Sequence, residues 1–575
     1  MAHFLNLVQQ FRTDERGVFG MIFAIIAVVL IALSGSVVDF VHVQQVRNQA
    51  QVALDAAALG LQEQIFVKPL NLTSIKVSAQ KLVDQQIGDS AVTAVMDMPV
   101  VDIPSGSLTL SAQLTVPTFF VTLVGVDTLG ANVVSQATRR KMALEVAMVL
   151  DNSGSMQGSR MSNLKTAATC ATNILFYGAV SDDSCVPVST TKTVEDVSIG
   201  IVPFTVMVNI GTQFKDATWL DWAGKSSVAR INFDNDDNAS TPFTGPVNRK
   251  DLFTQTGTNW LGCVEARKSP YDTTDEEPST IPGKEDTLFV PLFTPDGFGS
   301  QVIYRNGYYS NDSGSRGNYI SDTSSNTCTV RTCTVVTKNG SSSYTLTIGS
   351  KVTTPKASCV PTTDPVRLTG LKSGSTTTEV YSLLSKVELQ SRLCKYDGAS
   401  SVSNNNTNYG CPSVPVLPMT ETPKLVLDKI SDMVANGSTN IQQGAIWGVH
   451  ALTHGEPLTQ GRVRNDTDVR KALIIMTDGE NDPPFYDSDF NGGDYFSWGF
   501  PYDGRLADTR NEVSTETKIR AIQDAKTIAA CATAKALGME VFTIGLSSPA
   551  GVKSMLTTCS SGANYAFFPN SPDQL

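Results

Sequence analysis

The chain has 575 residues, too many for one ordinary hydrophobic core, so two to four folded units are expected. A formal net charge of −11, without any Lys/Arg cluster, argues against binding nucleic acid, which needs basic faces to replace phosphate counterions. Four histidines (His3, His42, His450 and His454) argue against a His-rich metal or triad centre, and ten scattered cysteines fit an oxidised structural framework better than a zinc site.

The first element is an uncharged run of 22 residues, Gly17 to Val38, "GVFGMIFAIIAVVLIALSGSVV". As a helix it spans roughly 33 Å, against a hydrocarbon core of about 30 Å. It is long for a signal-peptide core and "LSGS" is no clear A-x-A cleavage site, so the run predicts a retained transmembrane helix. Arg12 and Arg16 precede it and the next cation is Arg47, which keeps residues 1–16 cytoplasmic and puts everything after residue 39 outside the cytoplasm.

Beyond the span, Val43, Val46, Ala50, Ala53 and Ala57 recur at helical spacing, so the helix is expected to continue. "SLTLSAQLTVPTFF" and "GANVVSQATRR" then alternate and are rich in β-branched residues, which predicts a small α+β module up to residue 140. It carries no catalytic constellation.

From residue 141 strands and helices alternate. "ALEVAMVL" (143–150), "VSIGIVPF" (197–204), "KALIIMT" (471–477) and "MEVFTIGL" (539–546) read as strands. Helical spacing is kept by Met161, Leu164, Ala168, Ala171 and Leu175, by Ile441, Ala445, Val449 and Leu452, and by Ile519, Ile522, Ala525 and Ala529. Near-continuous apolar strands between amphipathic helices predict a doubly wound, mostly parallel sheet covered on both faces. Between about 205 and 421 the alternation is lost in a stretch rich in Ser, Thr, Asn, Asp and Gly. Too long for a structureless loop, it is expected to be an inserted lobe tied by disulfides, holding Cys263, Cys328, Cys333, Cys359, Cys394 and Cys411 with their pairing left open. Cys531, on the helix entering the last strong strand, is expected to pair with Cys559.

In open α/β sheets ligands bind outside the carboxyl ends of the strands. Asp151 sits at one such end, followed by Ser153 and Ser155, and Asp478 sits at another, in "KALIIMTDGEN"; Thr439 precedes the helix that begins near Ile441. Two carboxylates and three hydroxyls suit a hard cation such as Mg2+. Each residue taken alone also reads as a helix cap or a turn. "DSDFNGGD" resembles half an EF-hand loop, but its twelfth position is Trp498, so it and "NFDNDDNAS" are read as polar turns.

Taken together, Asp151-x-Ser153-x-Ser155, Thr439 and Asp478 resemble the von Willebrand factor A domain and its metal-ion-dependent adhesion site. That resemblance implies that Ser153, Ser155 and Thr439 contact Mg2+ or Mn2+ directly, that Asp151 and Asp478 act mostly through water, and that a partner's carboxylate fills the last position. The Arg-Gly entry into the span, with "VVDFVHVQQVRNQAQVALDAAALG", is similar to the head of TadE/TadG-type proteins of bacterial tight-adherence (Flp) pilus systems, some of which carry an A domain. "GCVEARKSPYD", "TLFVPLFTPD" and "NIQQGAIWGVHAL" resemble that group as well. "RGVFGMIFA" lacks the Glu of processed minor pilins, so prepilin-style cleavage is not expected.

The resulting expectation is a cytoplasmic N-terminus (1–16), a transmembrane helix (17–38), a helix with a small α+β module (39–140) and an A-like domain (141–575) interrupted at about 205–421. The resemblance implies a single-pass protein of the bacterial inner membrane, with its bulk periplasmic or extracellular. It implies a non-enzymatic pilus-assembly or adhesion protein that holds a pilus or envelope protein through the metal. Two alternatives stay open: a metal-dependent envelope hydrolase, which no acid–base pair, G-x-S-x-G elbow or Walker loop supports, and a structural envelope protein whose metal fixes loops.

Overall fold

The computed structural model describes residues 16–66, 69–103, 105–138, 142–181, 185–190, 193–194, 196–233, 245–296, 331–338, 341–348, 350–352, 367–373, 376–382, 390–391, 393–396, 402–463, 466, 468–487, 491–507, 512–546 and 548–570; for residues 16–21, 331–382 and 394–395 it describes the backbone only. The expectations for Arg12, for the turn after Phe233, for part of "DSDFNGGD" and for Cys328 and Cys359 lie outside these residues. The chain divides into two compact units, residues 1–141 and 142–575.

In the first unit a single helix, α1 (Arg16–Leu61), carries the apolar run and continues past it without a break. It is the one described helix long and apolar enough to cross a membrane, and only 17% of its apolar window is buried, so the run is not a core helix of this unit. Burial begins where the small residues begin: Val46, Ala50, Ala53, Leu54, Ala57 and Ala58 form one buried stripe at helical spacing. Next come α2 (Leu72–Ile87), capped by the Asn71 side chain, and an antiparallel sheet of β1 (Thr93–Met96), β2 (Val100–Asp102), β3 (Ser107–Pro117) and β4 (Thr128–Thr138). β1 and β2 share one edge of β3 and β4 takes the other. Leu108, Leu110, Ala112, Leu114 and Val116, alternate residues of β3, turn one face onto the α1 stripe and α2.

The second unit is built on a six-stranded sheet. Its strands are β5 (Ala143–Asp151) and β6 (Val197–Phe204), separated by α3 (Ser159–Tyr177), and after a long excursion β12 (Leu417–Thr420), β13 (Val469–Thr477), β14 (Glu540–Gly545) and β15 (Ala566–Phe567). The order is β12-β6-β5-β13-β14-β15, parallel except for the antiparallel edge strand β12. This is the doubly wound, mostly parallel architecture, in which the strand order reverses between β5 and β13. Side chains alternate between two buried faces. Val146, Met148 and Leu150 meet α3 and α5 (Pro423–Asp432), while Ala147 and Val149 meet α6 (Ile441–Leu452), with α7 (Glu516–Ala536) and α8 (Ala550–Cys559) covering the same face. Every residue of α6 is buried. Gly444 permits that seating: a Cβ there would stand 2.6 Å from Phe204 Cδ1 and 2.7 Å from Val149 Cγ1.

The excursion between β6 and β12 is of two kinds. Residues 331–382 form a five-stranded antiparallel sheet of their own, in the order β10-β11-β7-β8-β9, from β7 (Arg331–Lys338), β8 (Ser341–Ile348), β9 (Ser350–Val352), β10 (Arg367–Ser373) and β11 (Thr376–Ser382). The flanking stretches are not apart from the core of the six-stranded sheet. Trp219, Phe253 of α4 (Arg249–Thr256), Phe289, Phe293 and Tyr396 are buried in the same cluster as Trp447 of α6, and β12, which falls inside the expected 205–421 insert, is an edge strand of the main sheet. Among the described residues the disulfides are Cys170–Cys185, Cys263–Cys411 and the expected Cys531–Cys559.

Candidate functional site

β5 and β13 are hydrogen-bonded neighbours, with Met476 opposite Leu150, so the residues just past their carboxyl ends emerge side by side. Asp151 ends β5 and is fully buried. Its Oδ1 accepts from the Ser153 N–H at 2.8 Å, which turns the chain sharply, and its Oδ2 accepts from the Thr477 hydroxyl at 2.6 Å. The turn brings the Ser153 and Ser155 hydroxyls to 2.9 Å of each other, and Ser155 donates to Asp478 Oδ1 at 2.7 Å. Four of the five expected residues are thereby gathered in a continuous chain of oxygens across two strand ends. Ser153 and Asp478 are buried within it and Ser155 is exposed, so the cluster opens to solvent at Ser155.

Thr439 arrives by backbone. The loop before α6 is tied to the Asp151 loop by Gly154 N–H to Gly437 O (2.7 Å) and Asn436 N–H to Asn152 O (2.9 Å). Thr439 also exchanges backbone hydrogen bonds with Asp482 of the Asp478 loop, at 3.3 and 2.9 Å. The three loops are thus stitched to one another. The Thr439 hydroxyl is not a member of the Ser153–Ser155–Asp478 chain.

The charges are unevenly matched. Burial pushes the Asp151 carboxyl up, to about 6, and the neighbouring Asp478 charge pushes the same way, against the hydrogen bonds from Ser153 and Thr477. Asp478 has a cation: Arg160 Nη1 donates to Asp478 Oδ2 at 2.7 Å and to the Ser155 carbonyl at 3.1 Å. Sequence reasoning missed Arg160 and Thr477. A signal for Arg160 existed, because it stands in the first turn of α3, where a cation faces the positive end of the helix dipole and needs an anion to hold it.

Among the described residues no group of three or more His, Cys, Asp or Glu side chains is placed to hold a metal ion. The donor set is oxygen only, with two carboxylates, two linked hydroxyls and a third hydroxyl on an adjoining loop. That chemistry fits Mg2+ or Mn2+ and disfavours zinc or copper, which select thiolate and imidazole.

Comparison with known proteins bears on both units. Residues 17–61 match a family model described as Putative Flp pilus-assembly TadE/G-like. Among solved structures the chain is similar to the pilus adhesin SpaC from Lactobacillus rhamnosus GG, at 10% identity and a TM-score of 0.26, over 84% of this chain and 33% of SpaC; the open conformation of SpaC gives 10% and 0.27, over 84% and 32%. The chain therefore spans about a third of SpaC's length. The vWF domain of the type V pili tip protein Mfa5 from Porphyromonas gingivalis is similar at 9% identity and a TM-score of 0.26, over 76% of this chain and 92% of that one. Comparison with curated proteins finds no match. Over residues 17–61, most of the N-terminal helix, the chain is therefore similar to the TadE/G-like Flp pilus-assembly family.

Proposed function

We propose that this chain is a membrane-anchored pilus-assembly or adhesion protein that holds a protein partner through a divalent cation, Mg2+ or Mn2+, at the carboxyl ends of β5 and β13. The observation that carries this reading is the hydrogen-bonded chain Ser153–Ser155–Asp478, which gathers oxygens of two loops beside the buried Asp151. Ser153, Ser155 and Thr439 would hold the cation, with Asp151 and Asp478 orienting its waters. A bound cation supplies a positive centre on which a partner's carboxylate can land.

The chain's own residues prepare that event. Thr477 and the Ser153 N–H fix the Asp151 carboxylate, and the exposed Ser155 keeps the site open to a partner. Arg160 already neutralises Asp478, so a cation must share or displace a guanidinium there. The role is recognition, and the partner is a pilus or envelope component of the outward side of the inner membrane. The test is Mn2+ titration of the detergent-solubilised full chain, followed by electron paramagnetic resonance. Wild type should bind Mn2+ and Asp478→Ala should not; equal binding by both would remove the site. Envelopes crosslinked without chelator should then yield a co-purifying protein, and envelopes treated with chelator before crosslinking should not.

A further inference from the structure

The hairpin between β3 and β4 does not end as a solvated turn. Residues 118–126, "TFFVTLVGV", carry no charge. Phe119 is 62% exposed, Leu123 and Val124 are 54% each and Val126 is 42%. Exposed apolar groups contiguous on a soluble surface mark a contact, and scattered ones do not. These are contiguous, because a short helical turn at Val121–Val124 holds them together.

The structure also fixes where on α1 this tip sits. The Asp39 carboxylate, 1% exposed, accepts the backbone N–H groups of Phe119, Phe120 and Val121, each at 2.9 Å. The His42 ring lies 5.4 Å from that of Phe119, and a Cβ on Gly35 would overlap the Phe120 ring. The tip is therefore fastened to α1 between Gly35 and His42, at the end of the charge-free run. Here the helix itself exposes Val37, Val38, Phe40 and Val41. Asp39 is the first charge after the span, and its carboxylate is turned to the backbone of the tip. A carboxylate that would otherwise sit at the membrane boundary is consumed as a staple.

We propose that the 118–126 hairpin tip is a second membrane-inserting element, seated in the leaflet at the outer end of α1 with Phe119, Leu123, Val124 and Val126 among the lipid chains. The occupant is lipid because the exposed tip is continuous with the exposed apolar surface of the span and is held at the level where that surface ends. A roughly 33 Å span brings Val38 to the edge of a core about 30 Å thick. Two contacts with the leaflet, one by α1 and one by the hairpin, would set the orientation of the first unit on the membrane, which a lone helix leaves free to rotate.

The inference rests on α1 being a membrane span, and the experiment separates the two. The full chain is reconstituted in lipid nanodiscs with ordinary or acyl-brominated phosphatidylcholine, and tryptophan emission is compared with wild type, whose five tryptophans all lie beyond residue 218. Four variants are read: Ile26→Trp in the span, Phe119→Trp and Leu123→Trp in the tip, and Val100→Trp, 67% exposed on β2 opposite Thr109 and far along β3 from the tip. The indoles introduced at 26, 119 and 123 should be blue-shifted and lose emission in brominated lipid, and that at 100 should not. Quenching at 26 without quenching at 119 and 123 overturns the tip and leaves the anchor, including the case in which another protein covers the tip. No quenching at 26 overturns both. Quenching at 100 equal to that at 119 overturns a tip-specific contact.

Discussion

The two ends of β5 and β13 are polar in opposite ways. At the amino ends, Glu145 and Lys471 stand opposite each other in register, both buried. Lys471 Nζ donates to Glu145 Oε2 at 2.8 Å and to the carbonyls of Leu452 and Arg462 at 2.5 and 2.6 Å, while Glu145 Oε1 takes the Arg462 N–H at 2.9 Å. All three ammonium protons are used and the pair is closed. At the carboxyl ends, Asp151 is as deeply buried but has only dipoles for partners, and the cation on Asp478 is a half-exposed arginine from another element. One pair of strands thus carries a finished electrostatic cluster at one end and an unfinished one at the other. The finished end serves the fold, and the unfinished end is where a cation would do something.

That contrast is breakable. Lys471→Met leaves the Glu145 carboxylate buried without its ammonium and should destabilise the second unit by about 3–5 kcal/mol, read as a shift in its denaturant midpoint. Mn2+ binding per folded molecule should not change. Replacing Cys531 and Cys559 by Ala should cost about 3 to 4 kcal/mol by the loop-entropy estimate for a 28-residue separation, again without touching cation affinity. Asp478→Ala should do the reverse, lowering Mn2+ affinity by roughly 10- to 100-fold. Its effect on stability should be smaller than that of Lys471→Met, because the partner left behind, Arg160, is 44% exposed and can return to water. If Asp478→Ala destabilises as much as Lys471→Met while cation binding persists, the two ends are alike and the contrast is wrong.

How much of this was legible in sequence depended on periodicity. "ALEVAMVL", "VSIGIVPF" and "KALIIMT" are unbroken apolar runs because both faces of a parallel strand are buried, so they announce β5, β6 and β13 almost to the residue. β12 did not announce itself: "LPMT" is four residues with a proline, an edge strand paired antiparallel through a register shift. The packed stretch 205–296 was read as part of a lobe because its burial comes from Trp219, Phe253, Phe289 and Phe293 in irregular backbone, which has no period to detect. In the site, the placement of Asp151, Ser153, Ser155 and Asp478 was legible because the apolar strands before them are; each alone also reads as a cap or a turn, and only their combination at two strand ends pointed to one place. For Arg160 the sequence signals at most that a cation in the first turn of a helix needs an anion, not which one, since Asp478 lies 318 positions away. The hairpin tip was hidden for a related reason. "TVPTFF" reads as strand, and only Asp39, 80 to 82 positions earlier, turns its end onto α1.

Arg160 gives the smallest and most discriminating effect. The guanidinium lies on the carboxylate that the proposed cation would also use, so it lowers the negative potential there. Its side chain is 44% exposed, and an ion pair so placed is worth no more than about 1 kcal/mol, because solvent screens it and the side chain must be held still. Arg160→Gln should therefore raise Mn2+ affinity modestly, by roughly fivefold at most. The gain should shrink as salt is raised, since the Debye length falls from about 10 Å at 0.1 M to about 3 Å at 1 M. Arg160→Lys keeps the charge but not the planar fork that reaches Asp478 and the Ser155 carbonyl together, and should fall between wild type and Arg160→Gln. The opposite result, weaker binding in Arg160→Gln, would show that the guanidinium orients Asp478 for the cation instead of competing with it. The carboxyl end of β13 would then be a preassembled site, finished by Arg160 much as Lys471 finishes the amino end.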